Sequence, residues 1–244
     1  MTGSYREEHL FELKLAYEAW QFTLKQVATV DAQVALQLGQ MKCDRALPPL
    51  KTKARPKRRV NSPGFDVRTA LYYVVGLDLT EIEGVSELTA LTVISEIGPG
   101  VSRFATVKKF CSWLGLCPQW RQTGGRVKSS RTRRGVNRAA QALRLAAQSL
   151  HHSQGALGGF LRRMKGRLGA QAAVTATAHK LARIVYLALK HGMTYVRQSQ
   201  EEHEAQMKEK QLKALRRKAH QLGLEVVEKT SGSGATATAG SEQG

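Results

Sequence analysis

Acidic residues are missing from the middle of this sequence. No Asp or Glu occurs between Glu96 and Glu201, while Arg and Lys recur throughout. That absence excludes whole chemistries from the stretch. Two-metal phosphoryl transfer needs clustered carboxylates, and glycoside hydrolysis needs a carboxylate pair. Cysteine is scarce and odd in number: Cys43, Cys111 and Cys117. Three thiols without a signal peptide read as reduced cytosolic groups, neither a disulfide framework nor a zinc site. Aromatics make up only 6% of the chain, and no apolar run approaches the roughly 20 residues needed to span a bilayer. The expectation is a soluble cytoplasmic protein with no membrane partner and no metal site of its own.

What is present is positive charge. The formal net charge is +19 over 244 residues, with 38 Lys and Arg against 19 Asp and Glu. Such an excess speaks to partners, nucleic acid first and an anionic membrane surface second. It is densest in one span, where Arg121, Arg126, Lys128, Arg131, Arg133, Arg134 and Arg138 surround the pair Gly124-Gly125. Glycine lets a backbone approach a ligand closely, and Arg matches a phosphate bidentately. Together with Thr123, Ser129 and Ser130 this composition suits a phosphodiester. A solvated basic loop is the alternative reading.

The N-terminal part carries an apolar series at Leu10, Leu13, Tyr17, Trp20, Leu24, Val27, Val34, Leu38 and Met41. Gaps alternating three and four are the seam of a coiled coil, with Asp31 at the one position where an apolar residue is missing. A helix over 5–42, about 55 Å long at 1.5 Å per residue, must cover that stripe with another helix. A second copy would make the protein a homo-oligomer. A long amphipathic helix lying on the domain is the alternative. Residues 43–64 read as a basic, proline-rich linker containing Pro48, Pro49, Pro56, Pro63 and the run KTKARPKRR.

Residues 65–196 read as a compact helical domain, beginning with a helix capped by Asp66. In LTEIEGVSELTALTVISEIGPG, a hydrophobe–Gly–hydrophobe turn at Ile82, Gly84 and Val85 precedes an apolar helix. That order resembles a helix-hairpin-helix unit, which offers backbone N–H groups to phosphates. Glu81, Glu83 and Glu87 would oppose a phosphate there, so packing is the stronger role. A short helix over 106–114 should put Phe110, Trp113 and Leu114 in the core. Residues 117–134 form the central loop, and a helix from about Val136 to Ser149 buries Ala140, Leu143, Ala147 and Leu150. His151 and His152 would complement its C-terminal dipole. Helices over 155–169 and 175–191 follow, and His179 reads as a structural histidine before a general base or phosphate ligand. Residues 197–228 read as a charged helix, and 229–244 as a disordered tail of Ser, Gly, Ala and Thr.

The segments RFATVKKFCSWLGLCPQWRQTGGRVKSSRTRRGVNRAAQALRLAAQSLHHS and LGAQAAVTATAHKLARIVYLAL resemble the C-terminal transposase domain of bacterial insertion-sequence transposases. The family resembled is the serine-bearing, DEDD-type one, now known as bridge-RNA-guided recombinases. The resemblance implies an all-α fold, transposition and recombination of insertion-sequence DNA, and a structured guide RNA as a second partner. It places the nucleophile at the serine directly before the Gly-Gly pair, which is Thr123 here. DNA contacts fall to Arg121, Gly124, Gly125, Arg126, Lys128, Arg131, Arg133, Arg134 and Arg138. Family members carry a RuvC-like domain whose acidic tetrad binds a divalent metal such as Mg. These residues begin at the helix that should follow that domain, so a truncated, frame-shifted or split copy is expected. DNA binding without independent strand transfer follows from the two departures. A non-catalytic nucleic-acid-binding coiled-coil protein is the alternative, and a basic RNA-binding scaffold of ribosomal type is a third reading.

Overall fold

In the computed structural model, residues 5–41, 43, 47–50, 62–119, 121–133, 135, 137–224 and 226 are described. Among the described residues the fold is all-α with one small hairpin. Helix α1 spans Glu7–Gln40, α2 Val67–Val75, α3 Glu87–Ile97 and α4 Val107–Trp113. The strands β1 (Arg121–Thr123) and β2 (Arg126–Ser129) follow, then α5 (Arg138–Ser149), α6 (Ala156–Leu168), α7 (Ala170–His191) and α8 (Met193–Gln221). The chain divides into two units, Met1–Gln198 and Ser199–Gly244.

Short polar side chains start these helices by accepting orphan backbone N–H groups, a contribution of about 1 kcal/mol each. Asp66 accepts from Thr69, Ser86 from Thr89, Thr106 from Lys109, and Asn137 from Ala140. The Asp66 cap is the one read from the sequence. Helix α5 begins at Arg138 because Asn137 caps it, and α7 begins at Ala170, earlier than the expected 175. Val136 lies outside the described residues, as do the run KTKARPKRR and the tail 229–244. Of the linker, Cys43 donates its N–H to the Tyr73 carbonyl at 2.8 Å, and Pro48 accepts the Tyr72 hydroxyl at 2.6 Å.

The core of the first unit is built on small residues that let helices approach. Ala139, Ala140, Leu143, Ala146 and Ala147 bury the inner face of α5, and Ala173, Ala178, Leu181, Ala182 and Val185 that of α7. Tyr186 is 2% exposed, and its hydroxyl donates to the Phe104 carbonyl at 2.9 Å. Its ring lies tilted against Phe110, with centres 5.5 Å apart, and Phe110 meets Phe104 edge-on. Burying side chains of this size contributes roughly 1.5–3 kcal/mol each. Trp113 departs from expectation. It is 41% exposed rather than core, because it ends α4 on the outer side and lies beneath the Arg103 guanidinium, 4.8 Å from its ring centre.

Helix α1 is divided along its length. Leu10, Leu13, Tyr17, Trp20, Leu24 and Val27 are 47–65% exposed, whereas Val34 is half-buried and Leu38 buried. The inner half meets α2 and α3 across an apolar groove lined by Val34, Leu38, Val74, Leu91 and Ile94. Asp31, the polar position in the seam, accepts the Gly64 N–H at 2.6 Å and so ties α1 to the chain entering α2. In the second unit, the described side chains of α8 are mostly exposed, and Lys213 pairs with Glu209 one turn away at 2.8 Å.

Candidate nucleic-acid interface

The span expected as a loop over 117–134 is a hairpin. Strands β1 and β2 pair antiparallel, with Thr123 opposite Arg126, Gln122 opposite Val127, and Arg121 opposite Ser129. Gly124 and Gly125 join them with φ of 57° and 72°. Positive φ at both central residues is what a two-residue type I′ turn requires, and glycine adopts it without the Cβ penalty. A bulge between Arg121 and Gln122 makes Lys128 the extra residue. Closer to the root, Pro118 bridges Thr132, and the Gln119 N–H donates to the Arg131 carbonyl at 2.9 Å. On the N-terminal side of the hairpin Leu116 is buried, and its N–H donates to the Cys111 carbonyl at 3.1 Å.

Register decides which side chains share a face. Directly opposed residues project to the same side of a ladder, and residues two apart on one strand do so again. Thr123, Arg126, Arg121 and Ser129 therefore lie on one face, with two hydroxyls among two guanidiniums. Gln122 lies on the other, and its side-chain amide donates to the Gly125 carbonyl at 3.2 Å, bracing the turn. Residues 121–126 are all exposed, as are Lys128, Arg131 and Arg133. Among the described residues, no ion pair engages Arg121, Arg126, Lys128, Arg131 or Arg133. Arg134 lies outside the described residues.

Arg138 stands apart from the others. It opens α5 rather than standing on either strand, and its guanidinium meets Glu96 at 2.5 Å. The Arg138 side chain remains 75% exposed. An ion pair so open to water is worth about 0–1 kcal/mol, so a phosphate can compete with Glu96 for it. The sequence reading missed this pairing, since the last acid before the basic stretch lies far from Arg138 in the chain. It also missed the face that Ser129 shares with Thr123, which only the hairpin register reveals.

The turn at Gly84 is built differently. Gly84 has φ of 85°, and a Cβ there would lie 2.9 Å from Leu150 Cγ and 3.2 Å from the Ala146 carbonyl. Glu83 accepts the Ser153 hydroxyl and the Leu157 N–H, the latter at 3.1 Å, so it caps α6 across the fold. Glu81 pairs with Arg197. This turn is filled by the protein's own contacts.

Titratable groups elsewhere offer little reactivity. Burial pushes the Cys111 thiol up to about 12, with Cys117 adding to the shift and Arg183 opposing it. That is the opposite of an activated thiolate. Burial, and then the Arg183 charge, hold His179 below the ordinary histidine value. His151 and His152 form the short turn after α5 and are exposed, their rings 4.9 Å apart. Among the described residues, no three His, Cys, Asp or Glu side chains gather where they could hold a metal ion.

Residues 78–158 match the family model of the IS116/IS110/IS902 transposases. The match runs from Asp78 through the Gly84 turn and the hairpin to Gly158 in α6. It supports a transposase, with a role in insertion-sequence transposition and therefore an interaction with DNA. No curated protein matches the chain. No helix among the described residues is long and apolar enough to cross a membrane.

Proposed function

We propose that this chain handles DNA as the C-terminal transposase part of the serine-bearing, DEDD-type family. In this reading it binds an insertion-sequence end through the hairpin and does not complete strand transfer alone. The observation that carries the reading is the exposed hairpin face with Arg121, Thr123 and Arg126 around a Gly-Gly tip. It lies in the segment that matches the transposase family. Gly124 and Gly125 each have no atom within 4 Å of a would-be Cβ, so a phosphate can approach the backbone. Arg121, Arg126, Lys128, Arg131, Arg133, Arg134 and Arg138 supply the charge. A structured guide RNA would be a second ligand of the same basic surface.

The family's attack places a side-chain oxygen on phosphorus. A new O–P ester forms, the bond to the leaving DNA oxygen breaks, and the proton passes to that oxygen. Thr123 keeps the hydroxyl but adds a methyl that restricts χ1 and crowds in-line approach. That substitution favours the second reading, a non-catalytic nucleic-acid-binding protein. In both, the open stripe of α1 from Leu10 to Val27 pairs with a second copy as a coiled coil.

The test is to incubate the purified chain with the element's end DNA and resolve the mixture under denaturing conditions. Salt-sensitive binding without a covalent adduct is expected, and Thr123→Ala should bind as the parent does. An adduct that Thr123→Ala abolishes would make the chain a working recombinase on its own.

A further inference from the structure

We infer that the face shared by α6 and α7 is a second contact surface for the phosphodiester backbone of duplex DNA. It is separate in sequence and fold from the hairpin, and it rests on the DNA-handling reading above. The phrase TATAHKLARIVY has no part in the hairpin, yet it places His179, Lys180 and Arg183 within one turn of α7. Helix α6 lies against α7 and brings Phe160 and Arg163 to the same place. The Lys180 ammonium lies over the Phe160 ring, 4.7 Å from its centre. Burial, then Arg163 and Arg183, act on Lys180 to disfavour its charge, and Arg183 does the same to His179. Like charges gathered at a half-buried spot are costly, and phosphate oxygens are the ligand that relieves the cost.

Neither α6 nor α7 carries an acidic residue, and several acids of the first unit are engaged by other partners. Asp66 caps α2, Asp78 pairs with Arg68, Glu81 with Arg197 and Glu96 with Arg138, while Glu83 caps α6. Glu87 lies in the first turn of α3. Glu83 accepts the Leu157 N–H at the start of α6, and Arg162 donates to the Ser153 carbonyl at 2.5 Å, while Arg163 beside it is exposed. The Lys180 ammonium takes one face of the half-buried Phe160 ring, so charge more than an open aromatic face marks this surface. Duplex phosphates fit this face better than stacked single-stranded bases.

The experiment uses the full chain and its Arg163→Gln/Arg183→Gln double variant, both positions being exposed. Binding to an end duplex is measured over a series of NaCl concentrations, with circular dichroism verifying the fold. Each lost phosphate contact lowers the slope of log K against log salt by about 0.9, so the slope of the double variant should fall by about 1.8. The charge-keeping pair Arg163→Lys/Arg183→Lys should restore most of that slope. An unchanged slope and affinity in the double Gln variant would overturn this surface and leave the hairpin reading intact. Loss confined to a structured RNA, with duplex binding unchanged, would overturn it in favour of an RNA face. If the parent chain bound no DNA, both readings would fall together.

Discussion

The Gly84 turn and the Gly124–Gly125 turn use the same backbone device for opposite ends. Both need positive φ, and both stand in the segment that matches the transposase family. At Gly84 the space a Cβ would need is taken by Leu150 and Ala146, and the flanking carboxylates Glu81 and Glu83 are engaged by Arg197 and α6. At Gly124 and Gly125 the space is open, and the flanking side chains are exposed cations and hydroxyls. One turn joins helices; the other leaves backbone and charge open to solvent. Glycine-turn chemistry alone does not tell an anion site from a packing joint. What surrounds the missing Cβ does.

That contrast can be broken at several points, beginning with the largest effect. Gly84→Ala imposes a left-handed conformation on a side chain and drives it into Leu150, so it should cost about 2–4 kcal/mol. The urea midpoint would report it, while DNA affinity of the remaining folded protein should hold. Glu83→Ala removes the long-range cap of α6 and should cost about 1–2 kcal/mol in the same measurement. Gly125→Ala strains the type I′ turn by about 1–2 kcal/mol, but the strain is confined to the exposed hairpin. It should leave the urea midpoint nearly unmoved and weaken DNA binding. An equal loss of global stability at Gly84 and Gly125 would erase the distinction between the two turns.

The smallest effect concerns pH. His179 has a folded pKa below its ordinary value, because burial and Arg183 disfavour the imidazolium. The unfolded chain therefore takes up a proton first as pH falls, and stability present above about pH 6.5 is lost below it. His179→Gln should flatten the fall in urea midpoint between neutral and mildly acidic pH. Identical pH profiles for the two proteins would contradict the assigned cause.

Much of the frame was legible in sequence because it follows local rules. The 3–4 spacing announced α1, Asp66 announced α2, and the alanine-rich apolar face announced α5. The hairpin was not legible. Its strands are short, every residue from 121 to 126 faces water, and no alternation of apolar and polar residues marks them. The Gly-Gly pair is the one signal, and in sequence it points to close backbone approach to a ligand as readily as to a type I′ turn. Trp113 was misplaced for a related reason. Its aromatic character suggested burial, but Arg103 covers it from outside the core. The Arg138–Glu96 and Glu83–Leu157 contacts join residues far apart in the chain, where no spacing rule reaches. For α1, periodicity marked the stripe, and only the fold shows that its inner half is covered while Leu10 to Val27 stay open.

The most direct measurement is the salt dependence of end-DNA binding for the parent chain beside an Arg121→Gln/Arg126→Gln/Lys128→Gln triple variant. If the hairpin is the DNA-contacting element, the triple variant should bind more weakly, and its slope of log K against log salt should fall by roughly 2.7. A triple variant that binds with the affinity and slope of the parent would contradict the account.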